Sequence, residues 1–270
     1  METQYIELED KIRLAYFEKY NPTSKIGIVL IHGLAEHKGR YQYFYEEAFE
    51  ANMSIFALDI RGHGESGGIR GYIDDFHTFL SDLDLFINLI KTKYPHLKIA
   101  LLGHSLGGLI ATGYVETYDK IDFLMLSNPL LEAPNLTRLF HVIPYKLFGK
   151  IRIKKRHSES TEMLKYSYND PLASNYFTLR LLGSVFKQGI TFVSKHFEHI
   201  KIPVLLLGGA SDPLIKSSNF QSLLSQFGSL EKKLMIYENT KHRLLQSERK
   251  DEVISHIVRW LNEQTLGYVW

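Results

Sequence analysis

Five short runs along the chain are apolar without interruption: Ile28–Ile31, Ile55–Leu58, Ile99–Leu102, Phe123–Leu126 and Val204–Leu207. Segments that are apolar on both faces predict strands of a parallel sheet covered by helices above and below. Lys233–Glu238 predicts one more strand near the end. Between the runs the period changes. Phe76, Phe79, Leu80, Leu83, Phe86, Ile87 and Ile90 recur at helical spacing, with Asp82, Asp84 and Lys91 on the opposite side. Val253, Ile254, Ile257, Val258 and Leu261 repeat the pattern, with Trp260 close to the same face, and Gly108–Glu116 predicts a further helix. Tyr5–Leu8 and Ile12–Phe17 alternate around the turn residues Asp10-Lys11, which predicts an N-terminal hairpin. Strands alternating with helices give an α/β class, a doubly wound sheet with its site beyond the carboxyl ends of the strands.

One stretch breaks the alternation. From Asn128 to Ile200 the pattern is helical or irregular, with no strand expected. It holds Pro129, Pro134, Pro144 and Pro171, many aromatics and the basic run Lys150–Arg156. The expected organisation is a core of residues 1–128 and 201–270 and an insertion of residues 129–200 lying over the strand ends as a cap. At 270 residues, 44% hydrophobic and 23% charged, the chain suits one globular α/β domain with such an insertion. A net charge of +2 gives no argument for nucleic acid. The absence of cysteine excludes a thiol nucleophile, disulfides and a cysteine-based zinc site. The acidic, polar start Met1–Glu7 lacks the pattern of a secretory signal, and no window is long and apolar enough to span a bilayer. A cytoplasmic location is therefore expected.

The chemistry concentrates where strand runs end. Gly103-His104-Ser105-Leu106-Gly107 stands between a strand and a helix, the setting in which G-x-S-x-G forms a nucleophile elbow. Its plainer reading is a glycine-rich turn with a capping serine. Asp212 follows Val204–Leu207 through a small-residue turn, and His242 lies in the loop before the final helix. Taken singly they are a helix cap and a surface histidine. Taken together, the order Ser105, Asp212, His242 is that of the α/β-hydrolase triad. The backbone N–H groups of Leu106 and Leu34, the latter in His32-Gly33-Leu34 after the first parallel strand, are the candidate oxyanion donors. His32, His37 and His63 do not have zinc-site spacing, so no metal and no cofactor is expected. Arg61 and His63 are expected to hydrogen-bond the loops that hold the oxyanion turn, and His104 to be a packed histidine below the elbow.

Assembled, these segments resemble the monoacylglycerol lipase and lysophospholipase branch of the α/β-hydrolases, over nearly everything from Tyr5 to Leu261. The resemblance rests on His32–His37 followed by Gly39-Arg40-Tyr41, Asp59–Gly67, Arg70–Phe76, Gly103–Gly108, Gly209–Asp212 and His242. It implies the α/β-hydrolase fold and hydrolysis of carboxylic esters, with small acyl esters or lipids as substrate. Three positions depart from the family's pattern. Ala35 stands where glycine is usual, which stiffens the oxyanion loop. Lys216 replaces a common aspartate, and Arg243 a frequent acidic residue.

Leu136, Leu139, Phe140, Val142, Ile143, Leu147 and Phe148, followed by the basic run, would suit peripheral contact of the cap with an anionic membrane. Packing of the cap with a solvated basic face explains them equally. Short-chain esterase, peptidase and acyltransferase chemistry on the same three residues also stay open, as does a catalytically dead binding module.

Overall fold

The structure, a computed structural model, describes residues 2–132, 144–146, 152–154, 170–174 and 176–266. Its strands are β1 (Gln4–Glu7), β2 (Arg13–Lys19), β3 (Ile26–Ile31), β4 (Ser54–Leu58), β5 (Lys98–His104), β6 (Phe123–Ser127), β7 (Arg152–Lys154), β8 (Tyr176–Thr178), β9 (Val204–Gly209) and β10 (Lys232–Tyr237). Eight of them form one sheet in the order β1-β2-β4-β3-β5-β6-β9-β10. The hairpin β1–β2 pairs Gln4 with Tyr16, and β2 joins β4 antiparallel. Every pairing from β4 to β10 is parallel.

The helices are α1 (Gln42–Glu50), α2 (His77–Lys93), α3 (Leu106–Thr117), α4 (Leu179–Gly183, Ser184–Gly189 and Ile190–Val193 in succession, the middle part π-helical), α5 (Phe220–Gln226) and α6 (Lys250–Leu266). Strand side chains alternate between two cores. Val29 and Ile31 of β3 point into one with Phe79, Leu83 and Leu109 of α2 and α3. Ile28 and Leu30 point into the other with Phe44 of α1 and Ile257 and Trp260 of α6. Both faces of each central strand are thus buried, which is why these strands read as unbroken apolar runs. The fold is an α/β-hydrolase fold, as the sequence predicts.

Three details differ from the sequence pattern. Asp82 lies on the packed side of α2, 5% exposed, because Arg61 neutralises it through two hydrogen bonds of 2.8 and 2.7 Å. The stretch between β6 and β9 contains a strand pair after all: β7 and β8 pair antiparallel, Ile153 opposite Phe177. Three-residue strands offer too few positions for a two-residue period to show. The pattern also gives no notice of α1, whose nine residues bury only Phe44, Tyr45 and Ala48.

Because β6 is the sheet neighbour of β9, everything between them is an excursion from the sheet. Its described parts rest on the loops that follow β3 and β4. Ser174 N–H donates to the Ala35 carbonyl at 3.2 Å, and Thr178 donates from N and Oγ1 to the Gly71 carbonyl at 2.9 and 2.7 Å. Gln188 Oε1 accepts the Phe76 N–H at 3.0 Å. The apolar residues from Leu136 to Phe148 named above lie outside the described residues. Among the described residues, no helix is long and apolar enough to cross a membrane.

Candidate active site

At the junction of β5 and α3, Ser105 has φ 53° and ψ −114°, a region that L residues avoid. Such a conformation costs about 1–3 kcal/mol and persists only where its surroundings enforce it. The enforcement is visible in the flanking glycines. A Cβ on Gly103 would stand 2.3 Å from the Gly107 carbonyl oxygen, and one on Gly107 would stand 2.1 Å from that of Ile31. The Ser105 N–H donates to the Ser127 carbonyl of β6 at 3.1 Å. Its own carbonyl accepts from Gly108, Leu109 and Leu130 at 3.0, 3.2 and 3.0 Å.

Asp212 and His242, thirty positions apart in sequence, meet at 2.7 Å between Oδ2 and Nδ1. The other carboxylate oxygen of Asp212 accepts the N–H groups of Leu214 and Ile215 at 2.7 and 3.1 Å. Its side chain is fully buried, so those bonds replace water around the charge. An ionised carboxylate can only accept, so Nδ1 of His242 carries the proton of that bond and Nε2 keeps its lone pair for another donor. The His242 ring lies against that of His104, next to Ser105 in the chain, with centroids 4.8 Å apart. Burial pushes His104 down to about 4, and its Nδ1 bonds the Ser127 carbonyl at 3.0 Å. It is neutral and packed, as the sequence predicts.

The turn His32-Gly33-Leu34 lies beside the elbow, since a Cβ on Gly33 would be 3.3 Å from that of Ser105. His32 accepts the Ile60 N–H at Nε2 (3.1 Å) and so donates from Nδ1 to the Gly33 carbonyl (2.8 Å). Burial lowers its pKa, and the neutral ring fixes the turn. Glu36, 2% exposed, accepts the Gly33 N–H at 3.2 Å, the Tyr41 hydroxyl at 2.6 Å and Arg243 Nε at 2.7 Å. Burial alone would raise this carboxyl. The charge of Arg243 and the hydrogen bond from the Tyr41 hydroxyl overcome that and hold it well below the usual range. Ala35, at φ 64°, occupies the left-handed region that suits glycine, the residue from which this position departs.

Further along this loop, buried Lys38 donates from Nζ to Asp59 Oδ2 at 2.9 Å. Asp170 of the excursion accepts from Arg40 at 3.0 Å and pairs with His37 at 2.8 Å. Arg61 does not hold the oxyanion turn. It pairs with Asp82 and Asp10, tying α2 to the hairpin, because those carboxylates outcompete backbone carbonyls for a guanidinium. His63 contributes indirectly: its ring packs 5.6 Å from that of His32, and its Nδ1 faces the Arg61 carbonyl. Among the described residues, a donor grouping that could hold a metal ion occurs at His196, Glu198 and His199, apart from these loops in sequence.

The structure joins Asp212 to His242, two residues that the sequence order groups, but sequence reasoning missed Glu36 and Arg243 as a pair. The Glu-His of the oxyanion segment and the unusual Arg243 were both visible. Nothing local says that they touch.

Residues 22–250 match the family model for serine aminopeptidase, S33. The chain is 30% identical over 259 residues to the monoglyceride lipase of Homo sapiens, covering 90% of this chain and 84% of that protein. It is 25% identical over 287 residues to the probable lysophospholipase L2 of Haemophilus influenzae, covering 96% and 90%. The crystal structure of Paleococcus ferrophilus monoacylglycerol lipase superimposes with a TM-score of 0.81 at 28% identity, over 94% of this chain and 99% of that one. The chain belongs to the serine aminopeptidase S33 family of α/β-hydrolases, within its monoacylglycerol lipase-like branch of ester hydrolases.

Proposed function

We propose that the protein hydrolyses carboxylic esters of single-chain lipids, monoacylglycerols or lysophospholipids, through Ser105, His242 and Asp212. His242 Nε2 takes the hydroxyl proton as Ser105 Oγ attacks the acyl carbonyl. The resulting oxyanion is held by the N–H groups of Leu34 and Leu106. The protonated histidine then gives its proton to the departing alcohol, and the acyl-enzyme is hydrolysed by water that His242 deprotonates. Asp212 keeps the imidazole in the required tautomer and supports its charge. No cofactor enters the sequence of steps. The excursion between residues 129 and 200 is read as a cap over the acyl site, and peripheral membrane contact through it belongs to the same proposal.

The observation that carries this reading is the 2.7 Å Asp212–His242 bond, with the His242 ring tilted against that of His104, the residue before the strained Ser105. The lipid class is suggested by the named activities of the human and Paleococcus relatives. The test is labelling by a fluorophosphonate, followed by turnover across monoacylglycerols, lysophospholipids, p-nitrophenyl esters and aminoacyl amides. Labelling that vanishes in Ser105→Ala, with fastest turnover on long-chain monoacyl lipids, is expected. Equal labelling of the folded Ser105→Ala variant refutes the nucleophile. Preference for aminoacyl amides would move the activity to the peptidases.

A further inference from the structure

Asn128 is the residue at which the chain leaves β6 for the excursion. It is fully buried and sits at φ 41°, in the left-handed region. Its backbone N–H donates to the Leu207 carbonyl of β9 at 2.9 Å. Its side chain reaches two other segments. Oδ1 accepts the Gly209 N–H at 3.0 Å, at the end of the strand that delivers Asp212. Nδ2 donates to the carbonyl of His242 at 2.7 Å and lies 3.5 Å from that of Lys241. The orientation of the amide is unambiguous, since a backbone N–H can only donate and a carbonyl can only accept.

One side chain therefore joins the acid's loop to the main chain of the histidine itself. The Asp212–His242 bond spans two loops that depart from different strands. A ring held only by that bond could swing with either loop. The amide fixes the backbone from which the ring projects.

Resting on the proposed triad reaction, we infer that Asn128 is a positioning residue for His242, setting the distance of its imidazole from Ser105 through the histidine's own carbonyl. Asparagine meets three demands together. It tolerates the left-handed backbone, it supplies an acceptor on one side, and it supplies a donor on the other. Aspartate meets the first two and fails the third, placing an acceptor against two carbonyl oxygens. Glycine meets only the first. Neither variant introduces backbone strain.

The experiment compares wild type, Asn128→Asp and Asn128→Gly by steady-state hydrolysis of a p-nitrophenyl ester, and by proton NMR of the low-field His242 Nδ1 resonance at neutral pH. Displacing a catalytic group by about 1 Å costs on the order of a hundredfold, so kcat is expected to fall about 10- to 100-fold in both variants. KM should stay within about threefold, and the Nδ1 resonance should shift or broaden by exchange with water. Folded variants with kcat within about twofold of wild type and an unmoved resonance overturn the assignment. So does a loss of rate that merely follows the fraction of folded protein. If wild type fails to turn over any ester, the hydrolase reading falls. The resonance in the two variants still decides the role of Asn128.

Discussion

The two sides of the site are held together by different forces. The loop after β3, the proposed oxyanion loop, is fixed by buried charge: Glu36 on Arg243, Lys38 on Asp59, and Asp170 on Arg40 and His37. The acid and histidine loops are fixed mainly by bonds to the main chain, from Leu214 and Ile215 onto Asp212 and from Asn128 onto Gly209 and His242. Buried ions tolerate deletion of one partner badly, because the survivor is left unpaired in a medium that cannot solvate it. Backbone bonds are individually weaker but fix a loop's path closely. Damage on the first side should therefore register as instability, and damage on the second as misplaced chemistry.

The largest expected effect tests the second half of that contrast. Asp212→Asn preserves the acceptor for Leu214 and Ile215 but turns an amide toward the imidazole, favouring the tautomer with its proton on Nε2. A fall in kcat of about 10⁴-fold with little change in melting temperature is expected. A parallel collapse of stability would erase the distinction. On the other side, Glu36→Gln removes the buried carboxylate charge that Arg243 pairs with and should cost roughly 3–5 kcal/mol, a fall in melting temperature on the order of 10 °C by calorimetry. The double variant Glu36→Gln/Arg243→Met should regain part of that loss, because both charges of the buried pair are then removed.

Glu116 sharpens the point as a carboxyl with no such support. Among the described residues neither of its oxygens has a hydrogen-bond partner, and burial, with Glu198 nearby, pushes it up to about 8. The folded state therefore holds this proton more tightly than the unfolded chain does. Its ionisation costs stability progressively as pH rises from about 4.5 to 8, and nothing below that window. Glu116→Gln should melt higher than wild type at pH 8.5, by about 1–3 °C, and identically at pH 4. The opposite dependence would mean that the ionised form has a partner. The smallest effect is Ala35→Gly. Relief of the left-handed alanine, about 1 kcal/mol, is offset by the greater freedom of glycine in the unfolded chain. A gain of about 1–2 °C at most is expected, and a clear loss would show that the alanine methyl packs usefully.

What the sequence made legible follows the same division. Central strands announce themselves because both faces are buried, and Ser105, Asp212 and His242 stand out because each follows a strand, in a fixed order. The supports do not. Asp82 looks like a solvent-facing residue until Arg61 is placed beside it. Glu36 and Arg243 come from loops after different strands, and no periodicity joins them. Asn128 is one polar residue before a proline, indistinguishable in sequence from the start of any loop. The ribbon β7–β8 is too short to carry a pattern. Motif and period report local constraint, whereas these features exist only once the strands are side by side.

Leu130, two residues beyond Asn128, donates its N–H to the carbonyl of Ser105. The first steps of the excursion are thereby stitched to the peptide unit of the proposed nucleophile. Anyone replacing the segment between β6 and β9 should therefore place the graft point after Leu131. A splice made earlier would also exchange the residues that hold the Ser105 turn in place.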